Sequence, residues 1–340
     1  MLIDKAQIEE RKAKITKITS SRSSRDCVIK PAESYTPVSD LCILTCYFNP
    51  CGYTNLLNNY LQFKQSIIQS GLTLITVECA FGAAAFHLQP EPDVIQVRSN
   101  SVIWQKECLL NVALQAARPR FTKVAWLDAD IFFADPHWAV STSAMLDRFQ
   151  IVQPFSEVVL LPQGMSYYAG DGHFLYGIAS VLGRDFTLIK EPYHIHGHTG
   201  YGWAARIEAL TEGLFDGCLL GCGDHVMAHA MFGDINCTCI EETFFNDPSS
   251  LLYYERWARQ LFGRVNGSVG YVEGTILHSW HGDPKNRNYL KAAQKLARFG
   301  VDPERDLRKN ADGCWEWNTN RPALQKYVAD YFEIRKDDEQ

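Results

Sequence analysis

Residues 123–130 read Lys-Val-Ala-Trp-Leu-Asp-Ala-Asp, an apolar run that ends in two carboxylates separated by one residue. The run predicts a buried strand. Side chains i and i+2 of a strand point the same way, so Asp128 and Asp130 can face one divalent cation at its carboxyl end. In an open parallel sheet, ligands bind at that end. The alternative is that Asp128 caps the next turn while Asp130 is solvated, which is disfavoured because apolar residues flank both acids.

Strand-like and helix-like patterns alternate around this run. Apolar stretches at 41–48, 72–78 and 93–97 predict strands, and the patterns at 54–70 and 104–117 predict helices. The alternation predicts an α/β fold with a mostly parallel sheet that helices cover on both faces. Further along the chain we predict helices near 136–148, 202–212, 223–232, 250–262, 285–299 and 321–335, strands at 151–155 and 275–280, and an irregular region over 163–202.

The composition places the chain among globular proteins. Its 340 residues are 46% hydrophobic and 21% charged, which excludes a disordered or fibrous chain. The net charge of −6 leaves no chain-wide cationic field for nucleic acid or an anionic membrane. No apolar run approaches the roughly 18 residues of a spanning helix, and the charged N-terminus has no signal-peptide pattern. We therefore expect a cytoplasmic protein without a membrane span.

The cysteines indicate reduced thiols. Their number, eleven, is odd, and several lie inside apolar runs where a thiol acts as a small hydrophobic group. Cys218 with Cys222 and Cys237 with Cys239 lack the paired two-residue spacing of a zinc knuckle. Structural zinc is therefore not expected from the spacing.

Two histidines offer further metal ligands. His278 and His281 lie in Leu-His-Ser-Trp-His-Gly-Asp, residues 277–283, directly after a predicted strand. A neutral imidazole is a good third ligand for Mn²⁺, and Lys285 or Arg287 in the following helix can neutralise a diphosphate. A satisfied polar histidine is the alternative for either residue alone, but the pair beside Gly and Asp favours a functional site.

These residues together resemble glycosyltransferases of the GT-A fold over about 41–283. Asp128-Ala129-Asp130 looks like the Asp-X-Asp motif of that family, and His278 matches its metal-binding histidine. The resemblance implies that Asp128, Asp130 and His278 hold Mn²⁺ or Mg²⁺ on the diphosphate of a nucleotide sugar, with UDP as the expected nucleotide. It also implies contacts from the first two strands to the nucleotide, by Thr45, Tyr47 and Glu78. Lys106 is a weaker candidate for reaching the phosphates or the sugar, because a solvated helix face shows the same pattern.

The stretch 221–225, Gly-Cys-Gly-Asp-His, lies at the start of a predicted helix. Glycines allow a ligand to approach the backbone, and a helix N-terminus stabilises a carboxylate. In inverting members of the family a similar segment supplies the general base, so Asp224 is the candidate catalytic residue. His225 follows where related enzymes often continue with acids. An N-terminal capping Asp without chemistry remains the alternative.

Small and aromatic residues mix in 196–203, His-Gly-His-Thr-Gly-Tyr-Gly-Trp. Aromatic faces stack on sugars and bases, so His198, Tyr201 and Trp203, together with His281, are candidate sugar or acceptor contacts. The alternative is a tight turn with Trp203 in the core.

The acceptor is an open question at this stage. Some phage and bacterial proteins of this kind are suspected of glycosylating hydroxymethylated pyrimidines in DNA, and residues 1–30 and 285–309 each carry eight Lys and Arg. Two solvated helices would show the same composition, so a saccharide or small-molecule acceptor stays open.

A metal-dependent nucleotidyltransferase and a non-catalytic sugar or nucleic-acid binding module are the competing classes. The expected organisation is a polar basic arm over 1–40, a GT-A domain over 41–283 and a helical extension packed on the core over 284–340.

Overall fold

The computed structural model of the protein describes residues 20–24, 27–30, 34–192, 195–287 and 289–339, together with residues 13 and 32. The strands are β1 Ser20–Ser24, β2 Leu41–Phe48, β3 Thr73–Phe81, β4 Val94–Ser99, β5 Lys123–Leu127, β6 Ile131–Phe133, β7 Ile151–Gln153, β8 Glu157–Leu160, β9 Asp171–Tyr176, β10 Gly202–Arg206, β11 Val269–Tyr271, β12 Thr275–His278, β13 Leu307–Lys309 and β14 Trp315–Trp317. The α-helices are α1 Thr54–Gln69, α2 Lys106–Ala117, α3 Trp138–Leu146, α4 Ile178–Arg184, α5 Gly223–Phe232, α6 Thr238–Thr243, α7 Pro248–Val265, α8 Pro284–Arg287, α9 Tyr289–Ala297, α10 Pro303–Asp306 and α11 Pro322–Ile334. Within these residues, no helix is both long enough and apolar enough to cross a bilayer.

A seven-stranded sheet in the order β11-β7-β10-β5-β2-β3-β4 forms the centre of the fold. The pairs among β5, β2, β3 and β4 are parallel, as is β11 with β7, whereas β10 runs antiparallel to both of its neighbours. Adjacent residues of β2 enter different cores, with Leu44 among the side chains around α2 and Ile43 among those around α1. Burial of both faces explains why β2 is a continuous apolar run. The predicted α/β class, with a mostly parallel sheet and flanking helices, is confirmed.

A second sheet brings two of the predicted metal-binding segments together. Its five strands follow the order β1-β9-β8-β12-β6. β12 runs antiparallel to β6, and its last residue, His278, pairs with Ile131 at the start of β6. Because Ile131 directly follows Asp130, this register sets the acid turn beside the end of β12.

Several local predictions were wrong where tertiary pairing overrides local preference. The predicted helix near 202–212 is strand β10 followed by a short 3₁₀ turn over Ile207–Leu210, because Gly202–Arg206 pairs with β5 inside the sheet. The predicted strand at 123–130 ends at Leu127, and the acid pair occupies the turn that follows. The predicted irregular region over 163–202 contains β9 and α4, and β1 lies in a segment for which neither strand nor helix is predicted.

The residues after 284 pack on the core through an aromatic anchor. Trp315 is buried, and its indole Nε1–H donates to the carbonyl of Asp216 at 2.8 Å. Its backbone N–H donates to Gln105 Oε1 at 3.0 Å, directly before α2. Apolar side chains of α11, including Leu324 and Val328, complete this cluster. The C-terminal segment therefore supports the end of α2 from which Lys106 projects.

The C-terminal tail also caps helix α1. The Asp338 carboxylate accepts the backbone N–H groups of Thr54 and Asn55, each at 2.8 Å, and no side chain at the N-cap position of α1 does so. Since unpaired N-terminal amides destabilise a helix, we expect Asp338→Ala to lower the free energy of unfolding by about 1 kcal/mol in urea titrations. The control is Glu339→Ala, an exposed neighbour paired only with Lys336 among the contacts that the structure records for it. Equal stability of the two variants would contradict the capping role.

Candidate active site

The candidate site lies around the turn Asp128–Asp130, between β5 and β6. Two backbone hydrogen bonds hold this turn: the Asp128 N–H donates to the Tyr201 carbonyl at 2.9 Å, and the Ser279 N–H donates to the Asp130 carbonyl at 2.8 Å. The turn is therefore attached on one side to the segment before β10 and on the other to the segment after β12. Both attachments join residues that are far apart in the sequence.

Asp130, His278 and His281 form one group of potential metal ligands, which we call the Asp130 cluster. Asp130 Oδ2 lies 3.3 Å from His281 Nε2 and 3.6 Å from His278 Nε2, and the two imidazole nitrogens are 3.0 Å apart. Three ligand atoms at these separations match one triangular face of a metal coordination shell. The structure thus groups Asp130 and His278, both predicted as ligands, with His281, which the sequence analysis offers as a possible ligand and also names as a candidate sugar or acceptor contact.

Asp128 diverges from Asp130 and pairs with Lys106. Lys106 Nζ lies 2.6 Å from Asp128 Oδ1 and 2.6 Å from Asp224 Oδ2, so one ammonium joins the acid turn to the start of α5. Burial alone would lower the pKa of Lys106, but the two carboxylates outweigh it and raise that pKa well above its usual value. Lys106 is therefore a fixed positive charge between two acids.

Asp224 is the second residue of α5, and the backbone before it is constrained. Cys222 adopts a left-handed conformation with φ of 74°, which is uncommon for a residue with a Cβ. A Cβ on Gly223 would collide with the carboxylate of Glu107, so any side chain there would displace the Glu107 side chain. Burial raises the pKa of Asp224, although the Lys106 ammonium opposes that shift. The result is a recessed carboxylate whose affinity for protons exceeds that of an exposed aspartate.

Aromatic rings form one side of the site. The Tyr201 ring lies 4.6 Å from the His198 ring and 4.9 Å from the His278 ring, measured between centroids. Tyr201 has a φ of 77°, and such left-handed strain at a non-glycine residue is typical of functional sites. Burial lowers the pKa of His198 to about 4, with a further contribution from His278, so the His198 imidazole is neutral at neutral pH. A Cβ on Gly200 would lie 3.9 Å from Asp224 Oδ2 and from His198 Nδ1, which places these two side chains around one point.

Two of the predicted contact residues, Thr45 and Trp203, are buried and donate hydrogen bonds to backbone carbonyls. Trp203 has no exposed surface, and its Nε1–H donates to the Thr199 carbonyl at 2.8 Å, as a core residue would. Thr45 is 1% exposed and donates its hydroxyl to the Leu127 carbonyl at 2.8 Å. Thr45 therefore helps to hold the end of β5, and Trp203, a residue of β10, belongs to the core cluster that also contains side chains of α2 and α5.

Tyr47 and Glu78 organise the loop at the far edge of the sheet. Glu78 is 1% exposed and accepts the backbone N–H of His87 at 2.5 Å. Tyr47 is also buried, and its ring lies 5.7 Å from the His87 ring. Their contacts to a nucleotide stay predictions.

The predicted phosphate contacts Lys285 and Arg287 follow β12 in the chain. Lys285 is largely exposed and forms an ion pair with Asp283 at 2.5 Å. Arg287 belongs to α8, and its side chain lies outside the described part of the chain. Both residues therefore stay predictions.

Sequence reasoning underestimated two residues of the site. Lys106 was treated as a weak candidate, although it is the side chain that connects both candidate acids. Glu107 was not singled out, yet it is 2% exposed, and burial raises its pKa to about 8. The available signal was a Lys-Glu pair at the first turn of an otherwise apolar helix, where the glutamate falls on the buried side.

The sequence matches no protein-family model and no curated protein. Among solved structures, the chain is similar to glucosyl-3-phosphoglycerate synthase from Mycobacterium tuberculosis in complex with phosphoglyceric acid, with 11% identity over 77% of this chain and 78% of that chain and a TM-score of 0.36. A second structure of the synthase, with Mn²⁺, UDP-glucose and phosphoglyceric acid, gives 12% identity over 85% and 91% of the two chains and a TM-score of 0.35. A mycobacterial protein gives 12% identity over 83% of each chain and a TM-score of 0.38. What the site of this chain does must therefore be inferred from its own residues.

Proposed function

We propose that the protein is a metal-dependent glycosyltransferase that moves a sugar from a nucleotide sugar, with UDP as the nucleotide, to an acceptor hydroxyl. One observation carries the proposal. Lys106 joins Asp128 to Asp224 beside the Asp130 cluster, so a cation-binding group, a fixed positive charge and a recessed carboxylate share one site. That combination suits the departure of a diphosphate and the activation of a hydroxyl, the two requirements of sugar transfer.

The residues present fit a divalent cation. Asp128 and Asp224 flank the single ammonium of Lys106, and Asp130 adds a third carboxylate on the same turn, which leaves an excess of negative charge for a metal to balance. The Asp130 cluster offers two imidazoles and one carboxylate, a set that favours Mn²⁺ over Mg²⁺, because Mg²⁺ prefers oxygen ligands. Bound there, the cation supplies positive charge to the leaving nucleoside diphosphate.

The side chains of the chain itself supply the remaining chemistry. Lys106 holds Asp128 and Asp224 in place and adds a positive charge on the phosphate side. Asp224 takes the proton of the attacking hydroxyl, because burial raises the pKa of this carboxyl and so strengthens it as a base. A single displacement with this base inverts the anomeric centre. The rings of His198 and Tyr201 provide an apolar surface for the sugar.

For the acceptor, the charges of the described residues favour a saccharide or small molecule over DNA. Four of the eight cations in 285–309 already pair with acids of the chain, which reduces the positive charge available for phosphates. These pairs are Lys285 with Asp283, Arg305 with Asp306, Arg308 with Glu316 and Lys309 with Asp216. Hydroxymethylated DNA remains the alternative acceptor, supported by the resemblance and the basic segment 1–30.

The first test is a thermal-shift panel of UDP, GDP, CDP and dTDP sugars with and without Mn²⁺. A ligand that binds only the folded state raises the melting temperature, by an amount that grows with its concentration relative to Kd. We expect a Mn²⁺-dependent shift with UDP-sugars, followed by Mn²⁺-dependent release of UDP. Acceptor screening then compares hydroxymethylated DNA, unmodified DNA and oligosaccharides. A shift without UDP release would favour a binding module, and pyrophosphate release from a nucleoside triphosphate would favour a nucleotidyltransferase.

A further inference from the structure

A second group of metal-binding side chains lies outside the proposed catalytic site. His196, His225, His229 and Cys239 each direct one ligand atom into a common space, and these four atoms lie within 4.8 Å of one another. His196, His225 and His229 are buried, and Cys239 is half-buried. We call this group the buried histidine cluster. Its members come from the segment before β10, from α5 and from the first turn of α6.

We propose that the buried histidine cluster is a structural zinc site with three imidazole ligands and one thiolate ligand. Zinc in structural sites takes four ligands in a tetrahedron, drawn from histidine and cysteine. His225 and His229 are four residues apart on α5, so they share one face of the helix. Four protein ligands leave no open position for a substrate, which makes this site structural.

Distances within the cluster suit a shared metal. His229 Nε2 and His196 Nε2 are 3.4 Å apart. That separation is long for an N–H hydrogen bond, whereas two imidazole nitrogens bound to one tetrahedral zinc lie about 3.3 Å apart, from Zn–N bonds of roughly 2.05 Å. The His225 ring centroid lies 4.8 Å from that of His229 and 5.4 Å from that of His196, so three imidazoles converge. The thiol of Cys239 completes the set with a softer ligand that zinc accepts.

The protonation states agree with metal binding. Burial lowers the pKa of His196 to about 4 and lowers the pKa of His225 well below its usual value, so both imidazoles are in the neutral form that a metal requires. His229 Nδ1 is within hydrogen-bond distance of the Asp234 carboxylate, so the Nδ1 proton is directed to Asp234 and Nε2 faces the cluster.

Asp234 acts as the outer partner of His229. His229 Nδ1 lies 3.1 Å from Asp234 Oδ2, and Asp234 is itself paired with Lys190. A carboxylate behind a metal-bound histidine fixes the ring orientation and its tautomer, and this arrangement is common at zinc sites. Cys237 also approaches His229 Nδ1, at 3.4 Å, but on the side of the ring that faces Asp234. The geometry thus assigns Cys239 to the metal and Cys237 to the outer shell.

Zinc in the buried histidine cluster would also fix the relative positions of two parts of the candidate active site. His196 is two residues from His198, and His225 directly follows Asp224. A zinc ion that joins His196 to His225 would therefore hold the aromatic side of the site and the candidate base at a fixed separation. This role does not depend on which reaction the site performs.

Cobalt substitution tests directly whether a thiolate of the protein binds the metal. The full-length chain is reconstituted with Co²⁺, and the absorption spectrum is searched for thiolate-to-cobalt charge transfer and the intense visible bands of tetrahedral cobalt. The Asp130 cluster contains no cysteine, so it cannot produce the thiolate band. We expect the band in the wild type and in Asp130→Ala, its loss in Cys239→Ser, and its retention in Cys237→Ser, the matched control.

Zinc content provides the second measurement. We expect on the order of one zinc per chain in Asp130→Ala, in which the other cluster is disabled, and loss of most of it in Cys239→Ser. If Cys239→Ser does not fold, Asp234→Asn serves instead, with zinc affinity expected to fall roughly 10- to 100-fold against a competing chelator. Absence of both zinc and the cobalt–thiolate band from folded wild-type protein would overturn the proposal. Loss of the band in Cys237→Ser but not in Cys239→Ser would overturn the ligand set.

Discussion

Replacing Asp130 with alanine is expected to abolish Mn²⁺-dependent turnover and leave the fold intact. Asp130 is the only carboxylate of the Asp130 cluster among the described residues, and its Oδ2 faces both His281 and His278 at 3.3 and 3.6 Å. Without it the candidate ligands that remain are two imidazoles, which bind a hard cation poorly. We expect kcat/KM for UDP-sugar turnover to fall by about three orders of magnitude or more.

The effect of Asp130→Ala should be specific to the metal. The control is Asp135→Ala, an exposed aspartate in the segment after β6 whose carboxylate accepts the His137 backbone N–H and lies outside the Asp130 cluster. We also expect His281→Ala to weaken Mn²⁺ binding more than Asp128→Ala, because Asp128 is engaged by Lys106 instead. The affinity for Mn²⁺ is measured by isothermal titration calorimetry or by electron paramagnetic resonance. Full turnover in Asp130→Ala would refute the metal assignment, and a larger loss of affinity in Asp128→Ala would restore the ligand set predicted from the sequence.

Replacing Asp224 with asparagine is expected to remove sugar transfer while donor binding persists. The substitution keeps the size of the side chain but removes the oxygen that can take a proton. General bases contribute roughly 10²- to 10⁴-fold to rate, so we expect kcat to fall by that factor. Lys106 keeps its partner Asp128 in this variant, so the ammonium is not left unpaired. The Mn²⁺-dependent thermal shift with a UDP-sugar should be retained.

A second lysine-paired aspartate provides the comparison for Asp224. Asp216 is similarly buried and forms an ion pair with Lys309, but it lies under the C-terminal extension and outside the candidate site. We expect Asp216→Asn to lower the melting temperature with little change in kcat. If Asp224→Asn behaves in the same way, Asp224 is a structural capping residue, as its place in the first turn of α5 would also allow.

Local sequence patterns predicted the bounds of an element correctly where the element is long and its burial is uniform. The apolar run at 41–48 coincides with β2, and the helix predicted at 223–232 coincides with α5. The three-residue strands β6 and β11 were not predicted, because so few residues cannot show a period, whereas β7, of the same length, lies inside the strand predicted at 151–155. It failed for β10 because Gly-Trp-Ala-Ala-Arg forms a strand only through pairing with β5 and β7 on either side.

The sequence located the candidate residues but not their pairing. Spacing suggested that Asp128 and Asp130 face one cation, but the strand ends at Leu127, and the turn sends one acid to Lys106 and the other to the two histidines. Lys106 and Asp224 are 118 residues apart, so no local pattern could join them. The buried histidine cluster escaped detection for a related reason, because its ligands come from three segments and do not follow a zinc-knuckle spacing.

Periodicity and residue type, which are local properties, were enough to predict the class of fold, the acid turn at the end of a buried strand and most of the candidate site residues. Which acid lies beside the histidines, which acid pairs with Lys106, and that His196, His225 and His229 come together all depend on the packed chain. Contacts of this kind depend on sheet order and strand register, because a side chain meets only the groups that the packed backbone brings within a few ångströms of it.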